Sequence, residues 1–201
     1  MDGAVLRLKG ENFWDPECFL PSDLVKELLA ASAGLSVYLF DDDLLYVRGN
    51  VGSGVYREWA LRCGGEPEAA PLTAVTHLII THESWAALSE LAGRIAPLLG
   101  RQVHSLLAKE RFYGSYNLVV CKKVLSKCRG AKRLLKHYGF ALQDLLFFGD
   151  WRNDIPLLKK AAFPVAMRNA GEAVAMHARA VTLFSNEEAG VERFLTRFFD
   201  L

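Results

Sequence analysis

An α/β layered fold is the class this sequence predicts, and three observations predict it. Short apolar runs of strand length alternate with stretches whose apolar residues recur every three or four positions. Clusters of Gly, Pro and Asp fall between these runs, where the chain has to turn. The 201 residues are 51% hydrophobic and 23% charged, enough apolar material for one good core or two small ones in a soluble globular chain.

In chain order, Pro21-Ser22-Asp23 marks a helix start, and Leu24, Val25, Leu28 and Leu29 follow at helical spacing until the Gly34 region closes the helix. Leu35–Phe40 and Leu44–Val47 read as strands on either side of Asp41-Asp42-Asp43, a triplet suited to a hairpin turn because Asp tolerates tight backbone geometry. Gly64–Pro71 has the composition of a loop. His77–Thr81 predicts a strand, and Trp85, Leu88, Leu91, Ile95 and Leu98 predict a helix ending near Gly100. Arg101–Ser115 has no decisive period. Asn117–Val120 reads as a strand and the basic segment Cys128–His137 as a helix stopped by Gly139. Leu145–Phe148, Pro164–Met167 and Ala180–Phe184 read as further strands, with a helix at Ile155–Ala162 and a closing amphipathic helix carrying Val191, Phe194, Leu195 and Phe198.

Composition excludes several classes of function. Lys plus Arg number 24 against 23 Asp plus Glu, so no basic excess points to nucleic acid and no charge block to an anionic membrane. The apolar runs are strand-length, too short to cross a bilayer. Cys18, Cys63, Cys121 and Cys128 show no CxxC spacing and no secretory signal is recognisable, which predicts reduced thiols, no zinc and a cytoplasmic location. The five histidines form no metal spacing, and the aromatics are scattered rather than arranged as a base-stacking platform.

The chemistry concentrates in Phe147-Phe148-Gly149-Asp150-Trp151-Arg152-Asn153-Asp154, where an apolar strand ends in Gly-Asp and a second Asp arrives as a helix begins. In open α/β sheets ligands sit beyond the carboxyl ends of the strands, which places Asp150 where a metal or substrate would be. A carboxylate is the hard oxygen ligand that magnesium prefers, and Asn153 and Asp154 can support phosphate or metal-bound water. Read alone, the octet is equally compatible with Asp154 as a helix cap and Asp150 as a turn residue. Lys127 alone reads as a solvated lysine beside Lys122, Lys123 and Arg129.

The neighbouring motifs add weight. Ser126-Lys127 precedes a helix upstream, and Val165-Ala166-Met167-Arg168-Asn169-Ala170 and Ser185-Asn186-Glu187-Glu188-Ala189-Gly190-Val191 follow downstream. In this order the four motifs resemble the C-terminal core of the Cof-type haloacid-dehalogenase-like (HAD) phosphatases. Asp2-Gly3-Ala4 resembles the strand before that family's α/β cap, and Leu20–Leu29, Val37–Val47 and Thr76–Gly100 resemble the cap's helices and strands. The resemblance implies a partial HAD-like Rossmannoid core with an α/β cap domain: residues 1–10 a core strand remnant, 11–117 the cap, and 118–201 the C-terminal half of the core. It implies that Lys127 and Asp154 are catalytic, that Lys127 and Asn153 bind substrate phosphate, that Asp150 binds Mg2+, and that the substrate is a small phosphorylated metabolite. The sequence departs from the family at Cys128, where Gly is usual, and at Trp151, bulkier than the usual small residue.

These phosphatases attack with an aspartate at the end of the first core strand, in an Asp-x-Asp-Gly-Thr type motif. That strand precedes the region matched by Asp2-Gly3-Ala4, so the chain is expected to lack the nucleophile and to be inactive alone. The alternative makes Asp41 the nucleophile and Asp43 the acid/base, although Leu44-Leu45 replaces Gly-Thr. A further reading is a non-catalytic protein that binds phosphate and magnesium. A core lacking its first strands should expose an unpaired edge, which predicts self-association.

Overall fold

The structure, a computed structural model, describes residues 5–8, 11–41, 44–49, 63–109 and 114–200. The motif Asp2-Gly3-Ala4 and the turn residues Asp42 and Asp43 lie outside the described residues. Two short strands open the described chain, β1 (Val5–Leu8) and β2 (Glu11–Trp14), paired with each other. The chain divides into two compact units, Trp14–Leu125 and Asp2–Phe13 with Ser126–Leu201.

The first unit is a six-stranded sheet backed by α1 (Ser22–Ala31) and α2 (Trp85–Ile95). Its strands are β3 (Ser36–Asp41), β4 (Leu44–Arg48), β5 (Cys63–Gly65), β6 (Val75–His82), β7 (Val103–Lys109) and β8 (Tyr116–Lys122), ordered β5-β4-β3-β6-β8-β7. Alternate residues of a strand face opposite sides. Val37, Leu39, Leu78, Ile80, Leu118 and Val120 therefore share one core with Val25 and Leu28 of α1 and Leu88, Leu91 and Ile95 of α2. Tyr38, Phe40, Leu45, Val47 and Ile79 form a second cluster from the opposite parity. Helix α1 ends in a turn that Gly34 completes at φ +77°, and Arg48 ties that turn to β4 by donating to the carbonyls of Ser32 (2.7 Å) and Leu35 (3.3 Å).

The second unit holds three parallel strands, β9 (Leu146–Gly149), β10 (Phe163–Ala166) and β11 (Ala180–Val181), ordered β11-β10-β9. Around them lie α3 (Lys127–His137), α4 (Ile155–Leu158), α5 (Glu172–Ala175) and α6 (Gly190–Phe199). The aromatic stripe of α6 covers the sheet edge-on, with Phe194 at 5.3 Å from Phe148 and Phe198 at 5.1 Å from Phe163, ring centre to ring centre. Because all three strands run the same way, the loops after Gly149, Ala166 and Val181 leave from one end of the sheet.

Several expectations are corrected. A boundary between residues 117 and 118 cuts through β8, which is hydrogen-bonded to β6 on one side and β7 on the other; the division falls between Leu125 and Ser126 instead. Arg101–Ser115 contains the strand β7, whose sequence Val-His-Ser-Leu-Leu-Ala-Lys does not alternate apolar with polar residues, Leu106 lying exposed beside Leu107. The stretch from residue 64 to 71 is not all loop, since β5 pairs parallel to β4 and a 3-10 turn spans Pro67–Ala69. The helix expected to reach Ala162 stops at Leu158, where the amides of Lys160 and Ala161 both turn back to the Leu157 carbonyl.

Candidate functional site

The site assembles where the three loops leave the parallel sheet. Gly149 ends β9 because the chain doubles back there: a Cβ on Gly149 would lie 2.8 Å from the Cβ of Asp154. A 3-10 turn, Arg152–Asp154, brings Asp154 under its own loop. Its Oδ2 accepts hydrogen bonds from the backbone amides of Asp150 (3.0 Å) and Trp151 (3.1 Å), and its Oδ1 lies 2.7 Å from Lys127 Nζ. The Asp154 side chain is 3% exposed, so these three donors replace the water it has lost.

Lys127 is the first residue of α3, whose N-terminus is capped by Ser126 Oγ accepting from the amide of Arg129 at 3.2 Å. The Lys127 side chain is 39% exposed, and an ammonium has three donors, of which Asp154 takes one. The remaining donors and the positive end of α3 offer an anion-binding locus.

Asp150 is held from another loop. Asn186 Nδ2 donates to Asp150 Oδ2 at 2.8 Å, and the Asn186 backbone amide donates to Asn169 Oδ1 at 3.2 Å. Asn186 therefore links the segments that follow β9, β10 and β11. Its own segment is braced by Glu188, whose carboxylate accepts from the Ser185 amide at 2.9 Å. That hydrogen bond, the Ser185 side chain and the nearby Arg168 and Arg193 hold the Glu188 carboxyl below the usual carboxylate range. Gly190 is needed beside it, since a Cβ there would lie 2.3 Å from the Phe184 carbonyl oxygen. A cleft of about 750 Å3 opens next to Asp150, lined among others by Gly149, Met167, Asn186, Gly190 and Leu195.

Of the residues singled out in the sequence, Lys127, Asp150 and Asp154 come together here, and Asn153 lies exposed in the same turn. Trp151 is 49% exposed and Cys128 is buried in α3. Asn186 belongs to the Ser185–Val191 motif, in which the sequence points to no role for it beyond a polar pair following the last strand. Asp41 belongs to the other unit and is committed there. Its Oδ1 accepts from the Ala74 amide at 2.7 Å and its Oδ2 from the Thr73 amide at 3.2 Å, with the residue 1% exposed. A carboxylate with both oxygens engaged by backbone donors at the buried end of a strand is a structural group, which corrects the alternative of Asp41 as nucleophile.

The donor chemistry fits magnesium in one mode only. Among the described residues no group of three or more His, Cys, Asp or Glu side chains gathers to hold a metal ion. Asp150 offers one oriented carboxylate, while both oxygens of Asp154 are already engaged. Magnesium is commonly held by one or two carboxylates and completed by water and substrate oxygens, and that arrangement suits Asp150.

Comparison with known proteins bears on the family and the fold. Over 82 residues, 41% of this chain, it is 37% identical to the 5-amino-6-(5-phospho-D-ribitylamino)uracil phosphatase YitU of Bacillus subtilis, covering 30% of that protein. Over 78 residues, 39% of this chain, it is 37% identical to YbjI of Escherichia coli, a phosphatase of the same name, covering 28% of it. The matched segments thus span under a third of each relative's length. The fold matches TM0651 from Thermotoga maritima with a TM-score of 0.75 and 21% identity, over 98% of this chain and 73% of that one. The family model for haloacid dehalogenase-like hydrolases matches residues 67–195, more than half of the chain, and the chain belongs to that family.

Proposed function

We propose that the second unit is the phosphate- and magnesium-holding part of a phosphatase site for small phosphorylated metabolites. The observation that carries this reading is the Lys127–Asp154 pair, buried on the carboxylate side and open on the ammonium side, beside the oriented carboxylate of Asp150. Lys127 binds a phosphoryl oxygen with the donors Asp154 leaves over and steadies the negative charge that develops as the phosphoryl group transfers. Asp154 holds Lys127 in place and pins the loop that presents Asp150. Asn153, exposed on that loop, supplies a further donor to phosphate. Asp150 holds Mg2+, which when bound neutralises charge on the phosphoryl oxygens. Asn186 fixes the rotamer of Asp150.

The substrate class rests on the relatives named as phosphatases of 5-amino-6-(5-phospho-D-ribitylamino)uracil, a small phosphorylated compound. A second reading, binding without turnover, is favoured by one observation: the buried aspartates among the described residues are all engaged by protein donors. Asp15 accepts from the Glu17 amide, Asp41 from residues 73 and 74, and Asp154 from Lys127 and its own loop. We also propose that the second unit self-associates. Among the described residues β9 is bordered by a strand on one side only, and Val181, Leu183, Phe198 and Phe199 are exposed.

Calorimetric titration of the chain with inorganic phosphate and Mg2+ tests the site. Phosphate binding should disappear in Lys127→Ala and magnesium binding in Asp150→Asn; binding indifferent to both substitutions would sink the proposal. Hydrolysis of an aryl phosphate with Mg2+ then separates the two readings, turnover favouring the enzyme and binding without turnover the second.

A further inference from the structure

A histidine and a cysteine form a pair in the first unit that the phosphate site does not use. His104 on β7 stands directly opposite Cys121 on β8, and His104 Nε2 lies 3.1 Å from Cys121 Sγ, within hydrogen-bond reach for sulfur. The same row continues on the other side, where His77 of β6 is in register with Cys121. The thiol is thus flanked by an imidazole on each neighbouring strand. Thr76 Oγ1 lies 3.0 Å from His77 Nδ1, whereas His104 directs Nε2 to the sulfur. Cys121 is 8% exposed, open to small reagents only, while His104 is exposed.

Partial desolvation of the ring where it lies against the sheet, and secondarily the charge of Lys123, hold the His104 pKa below the ordinary imidazole value. Near neutral pH the ring is therefore uncharged and its lone pair can take the thiol proton. The thiolate is the nucleophilic form of cysteine, and a base at hydrogen-bond distance favours it.

We propose that Cys121 is a modification site for a small electrophile of the hydroperoxide class, with His104 as its base. The thiol proton moves to His104 Nε2 as sulfur attacks the nearer peroxide oxygen. An S–O bond forms and the O–O bond breaks, giving a sulfenic acid and hydroxide (from an organic hydroperoxide, an alkoxide), which takes the proton from His104 and leaves as water (or the alcohol). Sulfur is oxidised by two electrons and the peroxide is reduced by two. The proposal concerns the other unit of the chain and does not rest on the phosphate reading.

The test is exposure of the intact protein to hydrogen peroxide with dimedone present to trap sulfenic acid, followed by peptide mass spectrometry. Cys128 is an internal control, since at 6% it is nearly as exposed as Cys121. Base assistance is typically worth roughly 100-fold or more, so Cys121 should label at least about tenfold faster than Cys128 and slow at least about tenfold in His104→Gln. Equal labelling of the two cysteines in the unmodified protein, or a Cys121 rate unchanged or raised in His104→Gln, would overturn the proposal. If circular dichroism shows that His104→Gln does not fold, the comparison of Cys121 with Cys128 in the unmodified protein decides it.

Discussion

Lys127 Nζ and Asp154 Oδ1 lie 2.7 Å apart, while the other oxygen of Asp154 is gripped by the amides of residues 150 and 151. One carboxylate thus orders both the cationic side chain and the loop that carries Asp150. Asp154→Asn keeps the shape but replaces an acceptor with a donor facing those groups. Hydrogen bonds to a charged group contribute roughly 1.5–3 kcal/mol, and exposure of Lys127 screens part of that. A loss of about 2 kcal/mol is expected in urea unfolding, together with weaker phosphate binding. A loss of stability with phosphate affinity intact would separate Asp154 from the site.

Asn186 reaches Asp150 across 36 positions of sequence. Groups that orient a metal-binding carboxylate commonly matter by roughly 10–100-fold in affinity. Asn186→Ala should weaken Mg2+ binding by about that factor, seen by calorimetry, while leaving the unfolding midpoint nearly unchanged. Unaltered magnesium affinity would show that Asp150 needs no such support.

The carboxylate of Asp41 closes the hairpin onto residues 73 and 74. Asp41→Asn leaves a backbone donor facing an amide that cannot accept equally well at both positions. Stability should fall by about 2–3 kcal/mol, with phosphate and Mg2+ binding retained. Loss of aryl phosphate turnover at unchanged stability would instead restore Asp41 as a catalytic group.

Two glycines predict opposite outcomes. A methyl group at Gly190 meets carbonyl oxygens of Phe184 and Ser185 at 2.3 and 2.8 Å, atoms that belong to the backbone. Gly190→Ala should cost about 2 kcal/mol or more. Gly93 lies in α2 with nothing within 4 Å of an added Cβ, so Gly93→Ala should stabilise by roughly 0.5–1 kcal/mol. Thermal unfolding of the pair checks both signs.

Self-association has a direct assay. Sedimentation velocity over a dilution series should show a reversible concentration-dependent species, and the double variant Leu183→Lys with Phe199→Glu should shift it towards monomer. Leu183 is 64% and Phe199 56% exposed, so the substitutions bury no charge in the monomer. A monodisperse monomer at every concentration would remove the proposal.

Much of this molecule is written locally. The alternation of apolar runs marks α1, α2, α3, α6 and most strands, because a helix needs its apolar residues every three or four positions and a strand every two. The spacing of Gly149, Asp150 and Asp154 was likewise legible, since a turn of six residues folds on itself and its donors and acceptors come from neighbours. Short or weakly amphipathic pieces such as β5, α5 and β7 were not, because their periodicity has little length or contrast to show.

By itself, then, the sequence determined the order of the longer elements and the chemical identity of Lys127, Asp150, Asn153 and Asp154. Tertiary structure alone decided that β8 is an inner strand of the six-stranded sheet, that Asp41 is consumed by residues 73 and 74, that Asn186 holds Asp150, and that His104 meets Cys121. The physical reason is range. Periodicity and turn chemistry act within a few residues, whereas strand register and the partner of a buried polar group are chosen among segments far apart in the chain by which packing leaves every donor and acceptor satisfied.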